Sequence, residues 1–183
     1  MAEASCDGIK LEGGQEVVSR VKAIVNAGIP VMGHLGLTPQ SVSSLGGFRL
    51  QGKSGKQAKK LVDDARALED AGAMAILLEL VPDRVCELIT KRAGVPIISL
   101  GSGPNAHGQL LIFHDMFGLY PRFTPKMAKK YADAGTLIGD GLKQYVAEVT
   151  GKVFPEPERY FGIKEDEYTE LRRLVAEDNA RIG

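Results

Sequence analysis

Ala58-Lys59-Lys60-Leu61-Val62-Asp63-Asp64-Ala65-Arg66-Ala67-Leu68-Glu69-Asp70-Ala71-Gly72-Ala73-Met74-Ala75-Ile76-Leu77-Leu78-Glu79 contains the change of hydrophobic period that decides the fold. Ala58, Leu61, Val62, Ala65 and Leu68 recur at helical spacing, Gly72 ends the helix, and Met74 to Leu78 is a continuous apolar run. An amphipathic helix that passes through a glycine into a strand apolar on both sides indicates a parallel sheet covered by helices.

The same alternation extends in both directions. Val17, Val18, Val21, Ile24 and Val25 share one helical face, Gly28 and Pro30 stop that helix, and the strand Val31-Met32 follows almost without a loop. Asp83 to Arg92 reads as a shorter helix, and Pro96 to Leu100 as a strand ending in Gly101-Ser102-Gly103. Ile9 to Glu12 and Leu110 to Phe113 bring the strands to five, and their order makes them sequential neighbours in the sheet. Thr124-Pro125 offers a cap and a first-turn proline for a further helix. Ile138, Leu142, Tyr145, Val146 and Val149 form another apolar helical face, residues 164–178 form a peripheral helix, and Gly46 to Lys53 is an extended, glycine-punctuated loop.

The chain has 183 residues, 44% of them hydrophobic and 25% charged, with 23 basic side chains against 23 acidic ones. That balance gives no electrostatic reason to expect nucleic acid or an anionic membrane as partner, and no stretch has the roughly 18 apolar residues of a membrane span. Cys6 and Cys86 are too few for a disulfide framework and stand in no metal-ligand spacing, so both are expected as thiols, Cys86 packed inside. The expected location is cytoplasmic.

Ionisable residues at strand ends are the candidate chemistry. Lys10 and Glu12 are two apart on one strand and so point to one face, either as an interior ion pair or as part of a site. Glu79 closes an apolar strand, an environment that disfavours its charged form and suits a base; a carboxylate capping the next helix or reaching solvent is the alternative. His34 is a lone strand-end histidine, compatible with a structural hydrogen bond or with a binding role. The Gly101-Ser102-Gly103 turn permits close backbone approach by a ligand, or is only a tight turn.

Gly33-His34-Leu35-Gly36-Leu37-Thr38-Pro39-Gln40, the Gly46-Gly47 to Gln51-Gly52 loop, Asp64-Ala65 through Gly72-Ala73, Leu78-Glu79-Leu80-Val81-Pro82, Gly108-Gln109-Leu110 and His114 to Leu119 together resemble ketopantoate hydroxymethyltransferase. The likeness runs from about residue 8 to residue 155. It implies an α/β fold, a (β/α)8 TIM barrel of the phosphoenolpyruvate/pyruvate type, of which five strands are present and about three are missing. It further implies a partial barrel domain over residues 1–155 and a C-terminal helical tail over residues 156–183.

The resemblance implies transfer of a hydroxymethyl group from 5,10-methylenetetrahydrofolate to 3-methyl-2-oxobutanoate, with Mg²⁺ chelating the oxo acid, in a homo-oligomer. By it, Glu79 is the general base, Lys10 and His34 bind substrate, and Glu12 belongs to the metal site. Two features depart from the family: Ser102 stands where a small apolar residue is usual, and His107 where an acid is common. The family's metal-binding aspartates belong to strands preceding the one with Lys10. Five parallel strands leave β edges and helix faces uncovered, which predicts association. Three readings follow: a shortened hydroxymethyltransferase, a non-catalytic half-barrel that docks on a complementary chain, and a lyase or mutase of the same superfamily. The His34 motif and Gly108-Gln109 argue against the last.

Overall fold

In the computed structural model, which describes residues 5–41 and 49–182, five strands stand side by side in chain order. They are β1 (Ile9–Glu12), β2 (Val31–Gly36), β3 (Ala75–Glu79), β4 (Ile97–Leu100) and β5 (Gly108–Gln109), and every pair is parallel. Three helices connect them: α1 (Val18–Asn26), entered through a 3-10 turn at Gln15–Val17, α2 (Gly55–Asp70) and α3 (Asp83–Arg92). The fold is α/β, in a five-strand parallel portion of the barrel type.

The helices form and stop for identifiable reasons. Ser54 caps α2 through a reciprocal box: its hydroxyl accepts from the Gln57 N–H at 3.3 Å, and the Gln57 side chain accepts from the Ser54 N–H at 3.2 Å. At its other end Gly72 adopts φ +93°, and the N–H groups of Gly72 and Ala73 return to the carbonyls of Glu69 and Leu68. Helix α1 closes in the same way at Gly28, whose φ is +79°, with Gly28 and Ile29 donating to Val25 and Ile24. These left-handed caps turn the chain directly into β3 and β2.

One face of the sheet meets the helices. Val31, Leu35, Ile76, Leu78 and Ile97 pack there with Val21 of α1, Leu61, Ala65 and Leu68 of α2, and Cys86 and Ile89 of α3. Each fully buried large aliphatic side chain contributes about 1.5–3 kcal/mol. Cys86 is buried as expected, and burial pushes its thiol pKa up.

Several expectations are corrected. The fifth strand is Gly108–Gln109, not Leu110 to Phe113: Leu110 still donates to the Ser99 carbonyl, but Phe113 begins the one-turn helix α4 (Phe113–Met116) and is 61% exposed. An apolar run of four residues does not by itself separate a buried strand from an exposed turn. Thr124-Pro125 opens no helix; a single turn closes from Ala128 N–H to the Pro125 carbonyl, and regular helix resumes only at Ala134. The expected loop from Gly46 lies partly outside the described residues, and Arg49 to Lys53 is irregular, fastened by Gln51 N–H to the Leu80 carbonyl at 2.8 Å.

Residues from Ala134 onward form a second compact unit, so the division falls before α5 (Ala134–Thr150). The boundary at 155 expected from the resemblance lies inside this unit, between α5 and a 3-10 turn at Pro157–Arg159. Helix α5 carries the expected apolar face, yet buries none of it; α6 (Glu165–Ile182) follows, with Arg173 paired to Glu170 and Glu177. Among the described residues, no helix is long and apolar enough to cross a membrane.

Replacing Ser54 by alanine should cost about 1 kcal/mol, because it leaves the Gln57 N–H without its acceptor. Urea unfolding of the first unit's transition measures it, with Ser54→Asp expected to retain most of the cap.

Candidate active site

The sheet's other face carries the polar residues. Strand alternation puts Lys10 and Glu12 of β1 on it together, and register sets His34 beside Glu12. Gly36 lies opposite Glu79 on β3, so Glu79 and His34 share this face at the carboxyl end of the sheet. All four sequence-predicted site residues therefore meet. Lys10 Nζ is 3.3 Å from Glu12 Oε1 and 3.0 Å from His34 Nδ1; Glu12 Oε1 is 3.5 Å from His34 Nδ1, and Glu79 Oε2 is 3.1 Å from His34 Nε2.

His34 is 2% exposed and stands at the centre of this row. An ammonium has only donors, so the Lys10 contact assigns a lone pair to Nδ1 and the ring proton to Nε2, on the side of Glu79. Glu79 Oε2 is close to Nε2 but off the N–H direction, and Nε2 has no hydrogen bond among the described residues. The distance marks an electrostatic contact; the angle, which decides a hydrogen bond, excludes one. Lys10 is the accessible end of the row, its side chain 42% exposed against 10% for both carboxylates.

A second set of contacts fixes the turn after Glu12. Gln40 N–H donates to Glu12 Oε2 at 3.1 Å, and Gly13 N–H to the His34 carbonyl at 3.1 Å. A Cβ at Gly14 would run into the Asp64 carboxyl group, which accepts Gln15 N–H at 3.2 Å and pairs with Lys60 at 2.5 Å. That hydrogen bond to Asp64 holds the Lys60 ammonium above its usual pKa. Partial burial alone would raise the pKa of Glu16; the N–H groups of Gly14 and of Glu16 itself, with Lys60 nearby, outweigh it and hold the carboxyl below the usual range. Asp64 was not singled out from the sequence, although it interrupts the apolar stripe of Leu61, Ala65 and Leu68 and so falls on the buried face.

The end of β3 is equally constrained. The Glu79 carbonyl accepts Leu37 N–H at 2.8 Å, and a Cβ at Gly36 would collide with that carbonyl. Leu80 has φ +48°, a left-handed conformation uncommon for leucine, immediately after the candidate base. Ser102 is structural: fully buried, its hydroxyl donates to the Leu78 carbonyl at 2.8 Å and accepts Val81 N–H at 3.0 Å. His107 likewise supports the sheet, its Nδ1 accepting Ile97 N–H at 3.0 Å.

The donor set does not suffice for magnesium. Both Glu12 oxygens already have partners, one of them an ammonium, and among the described residues no group of three His, Cys, Asp or Glu side chains is placed to hold an ion.

Residues 1–157 match the family model of ketopantoate hydroxymethyltransferase. The chain belongs to that family. A 3-methyl-2-oxobutanoate hydroxymethyltransferase of Carboxydothermus hydrogenoformans is 52% identical over 161 residues, which is 88% of this chain and 58% of the relative. Those of Syntrophomonas wolfei and Clostridium novyi are 52% and 49% identical, over 90% and 89% of this chain and 59% of each relative. This ketopantoate hydroxymethyltransferase family member thus spans about three-fifths of the length of the curated relatives it matches.

Because Glu16 has a lowered folded pKa, its contribution to stability is present above the ordinary carboxylate pKa and lost as pH falls through the folded value. Glu16→Gln should therefore lower stability at pH 7 by less than about 1 kcal/mol and bring the variant level with the parent at strongly acidic pH, as read by urea midpoints across pH.

Proposed function

We propose that this chain carries the chemistry by which a hydroxymethyl group passes from 5,10-methylenetetrahydrofolate to 3-methyl-2-oxobutanoate, giving 2-dehydropantoate for pantothenate biosynthesis. The observation that supports it most is the meeting of Lys10, Glu12, His34 and Glu79 at one end of one sheet face, in a chain of this family.

In this reading the accessible Lys10 ammonium binds the carboxylate of the oxo acid, and His34 orients it. Glu79 takes the proton from C3; the C–H electron pair becomes the C2–C3 double bond and the carbonyl pair moves onto oxygen. The enolate carbon bonds to the one-carbon unit as that unit leaves the folate nitrogens. One water is consumed: its OH becomes the new hydroxyl, while its other hydrogen and the C3 proton end on the two nitrogens of tetrahydrofolate. Glu12 is the one metal ligand that the resemblance assigns, and among the described residues the donor set around it does not suffice for magnesium. By the resemblance, residues 1–155 count as barrel and 156–183 as tail, although α5 belongs to the second compact unit, in a cytoplasmic homo-oligomer with small-molecule partners and neither nucleic acid nor membrane.

A second reading, a non-catalytic half-barrel docking on a complementary chain, is favoured by the outer edge of β1, which pairs with no strand among the described residues. Glu79→Gln separates the two. With both substrates and Mg²⁺ supplied, it should lower turnover by roughly 10²–10⁴-fold at unchanged melting temperature. Turnover in the variant equal to the parent's removes Glu79 as the base, and a folded parent with no turnover supports the docking reading.

A further inference from the structure

Helices α2 and α3 run side by side in one direction, each leading into a parallel strand, and leave a groove on their outer side. It consists of a hollow of about 340 Å³ toward the start of α2 and one of about 370 Å³ toward its end. The two hollows share Val62, Asp63 and Arg92, so the groove is continuous along α2 from Gly55 to Glu69, about 21 Å at 1.5 Å per residue. We propose that this groove seats helix α6 of a second copy of this chain, antiparallel to α2 and α3. The contact needs neither substrate nor metal and stands apart from the hydroxymethyl-transfer reading.

The groove has an apolar floor and a cationic rim. Val62 and Val85 are half-buried against the core, and Leu88 beside them is 49% exposed. Lys59 is matched by Asp63, and Arg66 by Glu69 and Asp70, whereas Arg84 and Arg92 have no ion pair among the described residues. An apolar trough edged by unmatched guanidinium groups suits an amphipathic helix whose stripe is flanked by acids.

Helix α6 has that form. Tyr168, Leu171 and Val175 stand at i, i+3 and i+7, and each is about half exposed. At about 100° per residue, Glu165 and Glu167 fall on either side of this stripe. Neither has an ion pair among the described residues, while Glu170 and Glu177 are matched by Arg173. The apolar face of α5 lacks this complement: its first turn has no acid, Asp140 pairs with Lys143, and Glu148 accepts from Gln144.

Charge and dipole set the direction together. Helix α3 ends on Lys91 and Arg92, and because Lys91 pairs with Glu87, Arg92 is the cation left over. Helix α6 begins Glu165-Asp166-Glu167. Antiparallel seating brings this acidic turn to Arg92 and the positive end of α6 to the negative end of α3. The stretch from Glu165 to Val175 is about 15 Å long and fits within the groove. Every copy carries both the stripe and the groove that receives it, so the partner is supplied by the same sequence.

Sedimentation velocity of the full chain across a concentration series, without substrates, tests this. The parent should associate. Arg92→Glu, and separately the pair Glu165→Lys with Glu167→Lys, should each weaken association by about tenfold, and the three changes together should restore it to within about threefold of the parent. Leu171→Asp, at an exposed position, should weaken it by about tenfold or more with unchanged far-UV circular dichroism. A parent that is monomeric at every concentration overturns the proposal and leaves the groove to the chain's own tail or to a foreign acidic helix. An associated parent that neither reversal weakens overturns it as well, as does a triple variant no tighter than the single reversals.

Discussion

Side chains on a strand alternate between faces, and in β1 to β3 the parallel register keeps that alternation in phase from strand to strand. Everything else follows from this constraint. Odd-numbered positions of β1 and β2 with even-numbered positions of β3 face the helices, where Leu35, Ile76 and Leu78 are sealed in the apolar cluster. Lys10, Glu12, His34 and Glu79 consequently occupy the opposite face, where charge does not enter the helix-packed core. A slip of one residue in β2 would exchange His34 for Leu35 and put an imidazole among aliphatic side chains. The apolar core thus sets the registration of the polar row.

Within that row, polarity is graded from a solvated ammonium to a buried carboxylate, with one imidazole between them. Lys10 is accessible to an anion, whereas Glu79 faces a group that is almost entirely removed from water. The arrangement separates an accessible cation at one end from a buried carboxylate at the other. The closing contacts of β3 fix the backbone at Glu79, because Leu37 N–H holds its carbonyl, Gly36 leaves room for that approach, and the left-handed Leu80 sets the chain beyond it. Such contacts hold the strand end that carries the Glu79 carboxylate in one backbone conformation.

Helices α1 and α2 were legible in the sequence because each has an apolar stripe and a stop, and the stops at Gly28 and Gly72 have the left-handed geometry that glycine favours. Strands β2 and β3 were legible as apolar runs following those stops, β4 as the run after Pro96, and β1 as the alternating Ile9 to Glu12. The region after Gln109 was not: Leu110 to Phe113 has strand composition but no covering layer among the described residues, and Pro125 begins one turn only. The four site residues were found through strand ends and resemblance, yet spacing alone did not establish that His34 would bridge Lys10 and Glu79, since that depends on register between separate strands. Asp64 was hidden because a carboxylate inside a helical stripe resembles an ordinary solvated position until the glycine turn it supports is in place.

Ser102 gives the site a property that reaches past its own hydrogen bonds. Its hydroxyl touches the backbone on both sides of Glu79, at Leu78 and Val81, while its own N–H is held by Ser99. The loop after β4 and the strand that carries Glu79 are therefore a single mechanical part. Displacement of that loop would be transmitted to Glu79 through two polar contacts in a dry environment, where a broken hydrogen bond is not replaced by water. Transplanting residues 101–109 from a distant barrel would carry over the loop's shape while uncoupling it from the strand, unless the hydroxyl came with it.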